Sequence, residues 1–272
     1  MATQTNRKFA VVTGASSGIG YELAKQCIEN DFDVLVCAED SGITEAATRL
    51  QAKGNMAQAV VADLATRAGI EELFRAIQSM QRPVDALILN AGVGVGGAFL
   101  ETDLERELRM IALNCNHTVH LAKLVLPMLV QRGEGRILMT GSVVSTSPNP
   151  FQAVYGATKA FVMSFGEALR YELKDSGVTV TVLQPGATET NFFERADLMD
   201  TKVGQSEKDD PALVAKHGFE AMMAGKDSVL AGGFKSKIVG LMNEVLPETV
   251  KAKQAGKVTA PGSAEPKSSA KE

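Results

Sequence analysis

Tyr155 and Lys159 stand four residues apart at the opening of an apolar-periodic segment, Ala160 to Lys174, that reads as a helix. One helical turn puts both side chains on a shared face. A phenol with a pKa of about 10 is a poor proton carrier near neutrality, but a fixed cation within a few ångströms favours the phenolate. Lys159 can supply that cation. Ser142 lies thirteen residues before Tyr155, directly after the strand-like run Arg136 to Thr140, where its hydroxyl could bond the substrate oxygen that the phenol protonates. Pro148 and Pro150 break the chain in between. An isolated Tyr-xxx-Lys also arises by chance on exposed helix faces, so its meaning depends on the elements around it.

Those elements alternate. The run Phe9 to Thr13 passes straight into Gly14-Ala-Ser16-Ser17-Gly18-Ile19-Gly20 and then a helical pattern from Tyr21 to Asn30. Glycines there let the backbone turn sharply and approach a pyrophosphate, which would sit on the free N–H groups of the helix start. A second buried strand, Asp33 to Ala38, ends in Glu39-Asp40. An acid at that place accepts from an adenosine ribose and repels a 2′-phosphate, and no Arg or Lys occupies the glycine turn or the strand end. NAD is therefore expected over NADP, with Glu39 as the ribose contact. The alternative is that Glu39 and Asp40 are solvated loop acids.

A helix is expected over Gly42 to Lys53, a strand over Met56 to Ala62 with Asp63-Leu64 at its adenine-facing end, and a helix over Arg67 to Met80. The strand Val84 to Leu89 runs into Asn90-Ala91-Gly92. Strand and helix alternating in this way mark parallel βαβ units, whose ligands bind at the strands' carboxyl ends. Thr102 to Gln131 reads as one long helix that Pro127 should kink or end early. Asn114, near its centre, either caps a local irregularity and holds a water or is a tolerated core amide. After the strand Gly177 to Leu183 come Pro185, Gly186, Thr188 and Thr190, whose hydroxyls and backbone could reach a carboxamide. Asn191 to Asp209 has no clear period and reads as a mobile lid containing Phe192, Phe193, Leu198 and Met199. A helix over Pro211 to Ala224, a strand over Ser228 to Ala231 and an amphipathic stretch, Ser236 to Leu246, follow. Residues 1–250 are expected to form one domain and 251–272 a disordered tail.

Composition narrows the class. The chain has 272 residues, 45% of them hydrophobic, and a net charge of −4, which argues against a general nucleic-acid binder. Three scattered cysteines suit no disulfide framework or zinc site and point to a reducing, cytoplasmic setting. His117, His120 and His217 form no ligand cluster, and stable membrane insertion is not expected.

Together these motifs give the chain a resemblance to the short-chain dehydrogenase/reductase family. Thr13 to Gly20 looks like its cofactor turn, Asp63 like its adenine contact, Asn90-Ala91-Gly92 like its central strand motif, and Pro185-Gly186 with Thr190 like its nicotinamide loop. Asn114, Ser142, Tyr155 and Lys159 are similar to its catalytic tetrad in type, order and spacing. The resemblance implies a doubly wound α/β Rossmann fold and hydride transfer between nicotinamide and a carbonyl or secondary alcohol. Tyr155 would be the general acid/base and Ser142 would orient the substrate oxygen. Lys159 would lower the tyrosine pKa and hold the nicotinamide ribose, and Asn114 would fix a relay water. It also implies a homodimer or homotetramer, with subunits meeting at the long helices near Thr102 and Phe151. The alternative function is a catalytically silent cofactor-sensing or scaffold protein of the same fold.

Overall fold

The structure, a computed structural model, describes residues 7–51, 54–233, 236, 238 and 246–264. Seven strands form one parallel sheet: β1 (Lys8–Thr13), β2 (Phe32–Ala38), β3 (Ala57–Val61), β4 (Ala86–Leu89), β5 (Gly135–Thr140), β6 (Val178–Pro185) and β7 (Ser228–Ala231). Their spatial order is β3-β2-β1-β4-β5-β6-β7. The direction of winding reverses between β1 and β4, and that switch point opens a crevice at the carboxyl ends of the strands.

Burial on both faces explains why these strands read as continuous apolar runs rather than alternating ones. Successive side chains of β1 point to opposite faces. Ala10 and Val12 pack with Leu23 and Ile28 of α1 (Gly18–Glu29), Ile43 of α2 (Gly42–Gln51) and Phe219 of α9 (Pro211–Met223). Phe9 and Val11 pack with Leu73 of α3 (Arg67–Ser79), Leu121 and Val125 of α5 (His117–Arg132) and Val162 of α6 (Ala153–Glu172). The observed elements agree with the sequence expectations to within a few residues.

Three expectations change. The long helix is α4 (Leu104–Ile111) followed by a π-helical turn, Ala112–Asn116, and then α5. Pro127 neither ends nor divides α5, which continues to Arg132 with Val125 and Leu129 buried on either side of it. That packing outweighs one missing hydrogen bond. The irregularity lies at Asn114 instead. The lid consists of two short helices, α7 (Phe192–Arg195) and α8 (Lys202–Gln205), with Phe193 and Leu198 buried beneath them.

The expected disordered tail is, up to residue 264, packed structure. Glu248–Thr259 is a helix whose buried Lys251 donates to the Thr146 carbonyl at 3.1 Å, while the Thr259 hydroxyl donates to the Pro150 carbonyl at 2.7 Å. Lys, Ala and Glu are common in disordered tails, but they are also good helix formers, so composition alone could not separate the two. Most of the expected amphipathic stretch from Ser236 to Leu246 lies outside the described residues.

Candidate active site

The first βα turn is built for close backbone approach. Gly14 and Gly18 have φ of 66° and 58°, in the left-handed region that glycine enters without strain. A Cβ on Gly20 would lie 2.0 Å from the Gly14 carbonyl oxygen and 2.4 Å from Asn90 Nδ2. Asn90 ties the turn to the sheet, because its side-chain amide donates to the carbonyls of Thr13 and Gly14 and its Oδ1 accepts from Thr140 Oγ1. Gly20→Ala should therefore destabilise the fold by about 1–3 kcal/mol through overpacking. It should also abolish any rise in Tm on adding a nicotinamide dinucleotide, which thermal melts of both proteins with and without NADH and NADPH will read.

Ser17 caps α1 with no side-chain hydrogen bond, and the first turn of α1 carries no acidic residue. Among the described residues no side chain caps its leading N–H groups, and Gly18, Ile19 and Gly20 line the cavity at the positive end of the helix dipole. This cradle fits a diphosphate, and the chemistry of its lining fits the rest of a nicotinamide dinucleotide.

A cavity of about 280 Å³ runs from this turn along the strand ends to Tyr155. Its walls include Gly14, Ser16, Ser17, Gly18, Ile19 and Gly20, then Glu39, Asp63, Leu64, Asn90, Ala91 and Gly92. Pro185, Gly186, Thr188 and Thr190 complete the other side, with Ser142, Tyr155 and Lys159 at the end. Every residue expected to touch a cofactor from sequence lines this one space. Asn114 does not: it stands behind the wall, its Oδ1 accepting from Val93 N and its Nδ2 donating to the Val93 carbonyl and Thr158 Oγ1. A Cβ on Gly92 would meet Asn114 Oδ1 at 3.0 Å and Lys159 Nζ at 3.4 Å, so the π-helical turn sets the wall against which Lys159 rests.

Tyr155, Ser142 and Lys159 are all buried. Ser142 caps the short 3-10 turn Val143–Thr146, its Oγ accepting from Val144 N. Lys159 Nζ donates to the Thr140 carbonyl at 2.8 Å and lies 5.8 Å from the Tyr155 ring centroid. The expected lowering of the phenol pKa by Lys159 is not what this geometry produces. Burial pushes the phenol up to about 12, with the Ser142 hydroxyl working against that rise. The same burial brings Lys159 down to about 8. In this dry setting desolvation of each charged form outweighs their attraction.

The substrate end is apolar. The Phe192 ring sits 5.2 Å from that of Tyr155, and Val93, Val144 and Val154 pack beside them. Gln152 and Arg195 also line the cavity and were not singled out from sequence.

The adenosine end holds a second omission. Asp40 accepts from Ser16 Oγ and from Gly42 N, which locks the glycine turn to β2. Glu39 and Asp63 are both paired with Arg109 of α4, at 2.6 and 2.9 Å. The absence of a cation at the strand end in the sequence did not mean absence in space, because Arg109 arrives from a helix 70 residues beyond Glu39.

The comparisons with known proteins agree with this architecture. A family model described as short chain dehydrogenase matches residues 8–200. An uncharacterized oxidoreductase of Staphylococcus epidermidis is 32% identical over 200 residues, 73% of this chain and 86% of that protein. A short-chain dehydrogenase from Sphingobium yanoikuyae in complex with NADPH is similar at a TM-score of 0.76 and 31% identity, over 82% of this chain and 86% of the other. For a 3-ketoacyl-(acyl-carrier-protein) reductase from Brucella melitensis complexed with NADH the TM-score is 0.73 at 26% identity, over 82% and 96%. The chain belongs to the short-chain dehydrogenase/reductase family.

Proposed function

We propose that the protein is an oxidoreductase moving a hydride between a nicotinamide dinucleotide and a carbonyl or secondary alcohol carbon, with NAD(H) preferred. The observation that carries this is the buried Ser142, Tyr155 and Lys159 set closing one end of a glycine-walled cavity. When bound, the dinucleotide supplies or accepts the hydride. The phenol of Tyr155 gives a proton to the substrate oxygen in reduction and takes it back in oxidation. Ser142, which lines the same end of the cavity as the phenol, orients the same oxygen. Lys159 holds the nicotinamide ribose, and Asn114 acts through the Val93 loop and Thr158 by fixing the wall behind Lys159.

The ring of Phe192 and its valine neighbours exclude water and favour a small to medium, rather apolar substrate. Among the described residues no group of His, Cys, Asp and Glu could hold a metal, and no helix is long and apolar enough to cross a membrane. Exposed Leu104 and Leu108 on α4 and Phe161 on α6 support a homo-oligomer. Three free, buried cysteines are in keeping with a reducing cytoplasm.

Fluorescence titration with NADH and NADPH, followed by a panel of ketones and secondary alcohols, tests the assignment. NADH should bind more tightly, and an apolar ketone should turn over. Tighter NADPH binding would overturn the cofactor preference. A panel without turnover, in which dinucleotide alters association with another protein, would favour a scaffold of the same fold.

A further inference from the structure

We propose that Arg109 sets the balance between NADH and NADPH, as a counter-ion held across the adenosine end of the cavity. This role rests on the hydride-transfer function proposed above. The guanidinium spans two carboxylates at the ends of neighbouring strands, Nη2 on Glu39 Oε2 and Nη1 on Asp63 Oδ2. Both carboxylates line the cavity. Three acids face this end, and two are otherwise engaged. Asp40 uses both oxygens on Ser16 Oγ and Gly42 N, and Asp63 Oδ1 accepts from Ala65 N. Among the described residues, Glu39 has Arg109 as its single partner.

A free Glu39 would accept from ribose hydroxyls and repel a 2′-phosphate. An ion-paired Glu39 does each of these less well. The pair is about half exposed on both sides, 48% and 51%, so water screens it and exchanging it costs little. A 2′-phosphate is a stronger partner for a guanidinium fork than one carboxylate, since it offers more charge and more acceptor oxygens. Arg109 can thus stay on Asp63 through one nitrogen and pass from Glu39 to the phosphate through the other. With NADH it withdraws from Glu39, and the carboxylate takes the ribose. The sequence feature that would exclude NADP is tempered by a cation that the fold brings in from α4.

The test is dissociation constants for NADH and NADPH on the full chain without substrate, for wild type, Arg109→Gln, Arg109→Lys and Glu39→Gln. Arg109→Gln should raise the ratio of the NADPH constant to the NADH constant at least about tenfold. Arg109→Lys, which keeps the charge and loses the fork, should raise it less. Glu39→Gln should lower it. Melting temperatures with each dinucleotide should follow the same order. If Arg109→Gln binds both dinucleotides with the wild-type ratio, Arg109 has no such role and the proposed function stands. If the wild type binds neither, the function falls and this role with it.

Discussion

Tyr155→Phe should lower carbonyl reduction at least about a thousandfold while the dissociation constant for NADH stays within about threefold. General acid catalysis by a positioned side chain contributes about 10²–10⁴ in rate, and phenylalanine removes the only atom that carries the proton. The ring itself remains, so the contact with Phe192 at 5.2 Å and the cavity wall are preserved. Burial holds the phenol near a pKa of about 12, so the acid form is fully present at neutral pH. Reduction should be flat from pH 6 to 9 as far as this group is concerned. Alcohol oxidation needs the phenolate, whose fraction grows about tenfold per pH unit below the pKa. Oxidation should therefore rise steeply with pH in the wild type and lose that rise in Tyr155→Phe. Steady-state rates in both directions across pH, with dinucleotide binding measured in parallel, decide it. A variant keeping more than about a tenth of wild-type turnover would sink the assignment.

The fold was legible because two simple patterns coincide. Strands buried on both faces show as β-branched runs, and each is followed by a helix of ordinary length, so the order of elements follows from spacing, while the doubly wound arrangement was implied by the family resemblance. The site was legible for the same reason: Gly14 to Gly20, Asn90 to Gly92, Ser142 and Pro185 to Thr190 all stand at or just past strand ends, where the sheet gathers them. What sequence could not supply is contact between distant helices. Arg109 precedes Asn114 by five residues, yet which acids it meets depends on α4 bringing it to Glu39 and Asp63, just past the ends of β2 and β3. The π-helical turn at Ala112–Asn116 has no compositional sign, since an extra residue in one turn is decided by Asn114 reaching Val93 and Thr158. Helical spacing gives the separation of Tyr155 and Lys159 but not their solvation, and here burial raises the phenol pKa and lowers that of the ammonium. The helix Glu248–Thr259 was missed because its composition suits both a solvated tail and a helix, and only Thr146 and Pro150 decide between them.

The same burial predicts that Lys159→Met, while losing activity, makes the protein more stable at pH 7. Lys159 has a pKa of about 8 in the folded chain against an ordinary 10.5. Between those values the unfolded chain binds more protons, so the stability of the wild type rises with pH from about 8 to 10.5 and the penalty is in full force below 8. At about 1.4 kcal/mol per pKa unit, that penalty is roughly 3 kcal/mol at neutral pH. Methionine has a similar length and no charge, but it leaves the Thr140 carbonyl without its donor, at a cost of about 1–3 kcal/mol. The net gain at pH 7 should lie between about 0 and 2 kcal/mol, up to a few degrees in Tm for a chain of this length. Above pH 10.5 the wild-type lysine is neutral in both states, the desolvation penalty is gone, and only the unsatisfied carbonyl remains. The variant should then be the less stable of the two. Thermal melts of both proteins at pH 7 and pH 10.5 read this crossing of sign directly. A variant less stable at both values would mean that the ammonium is held in the site by attraction exceeding its desolvation, and that Lys159 is cationic there well above pH 8.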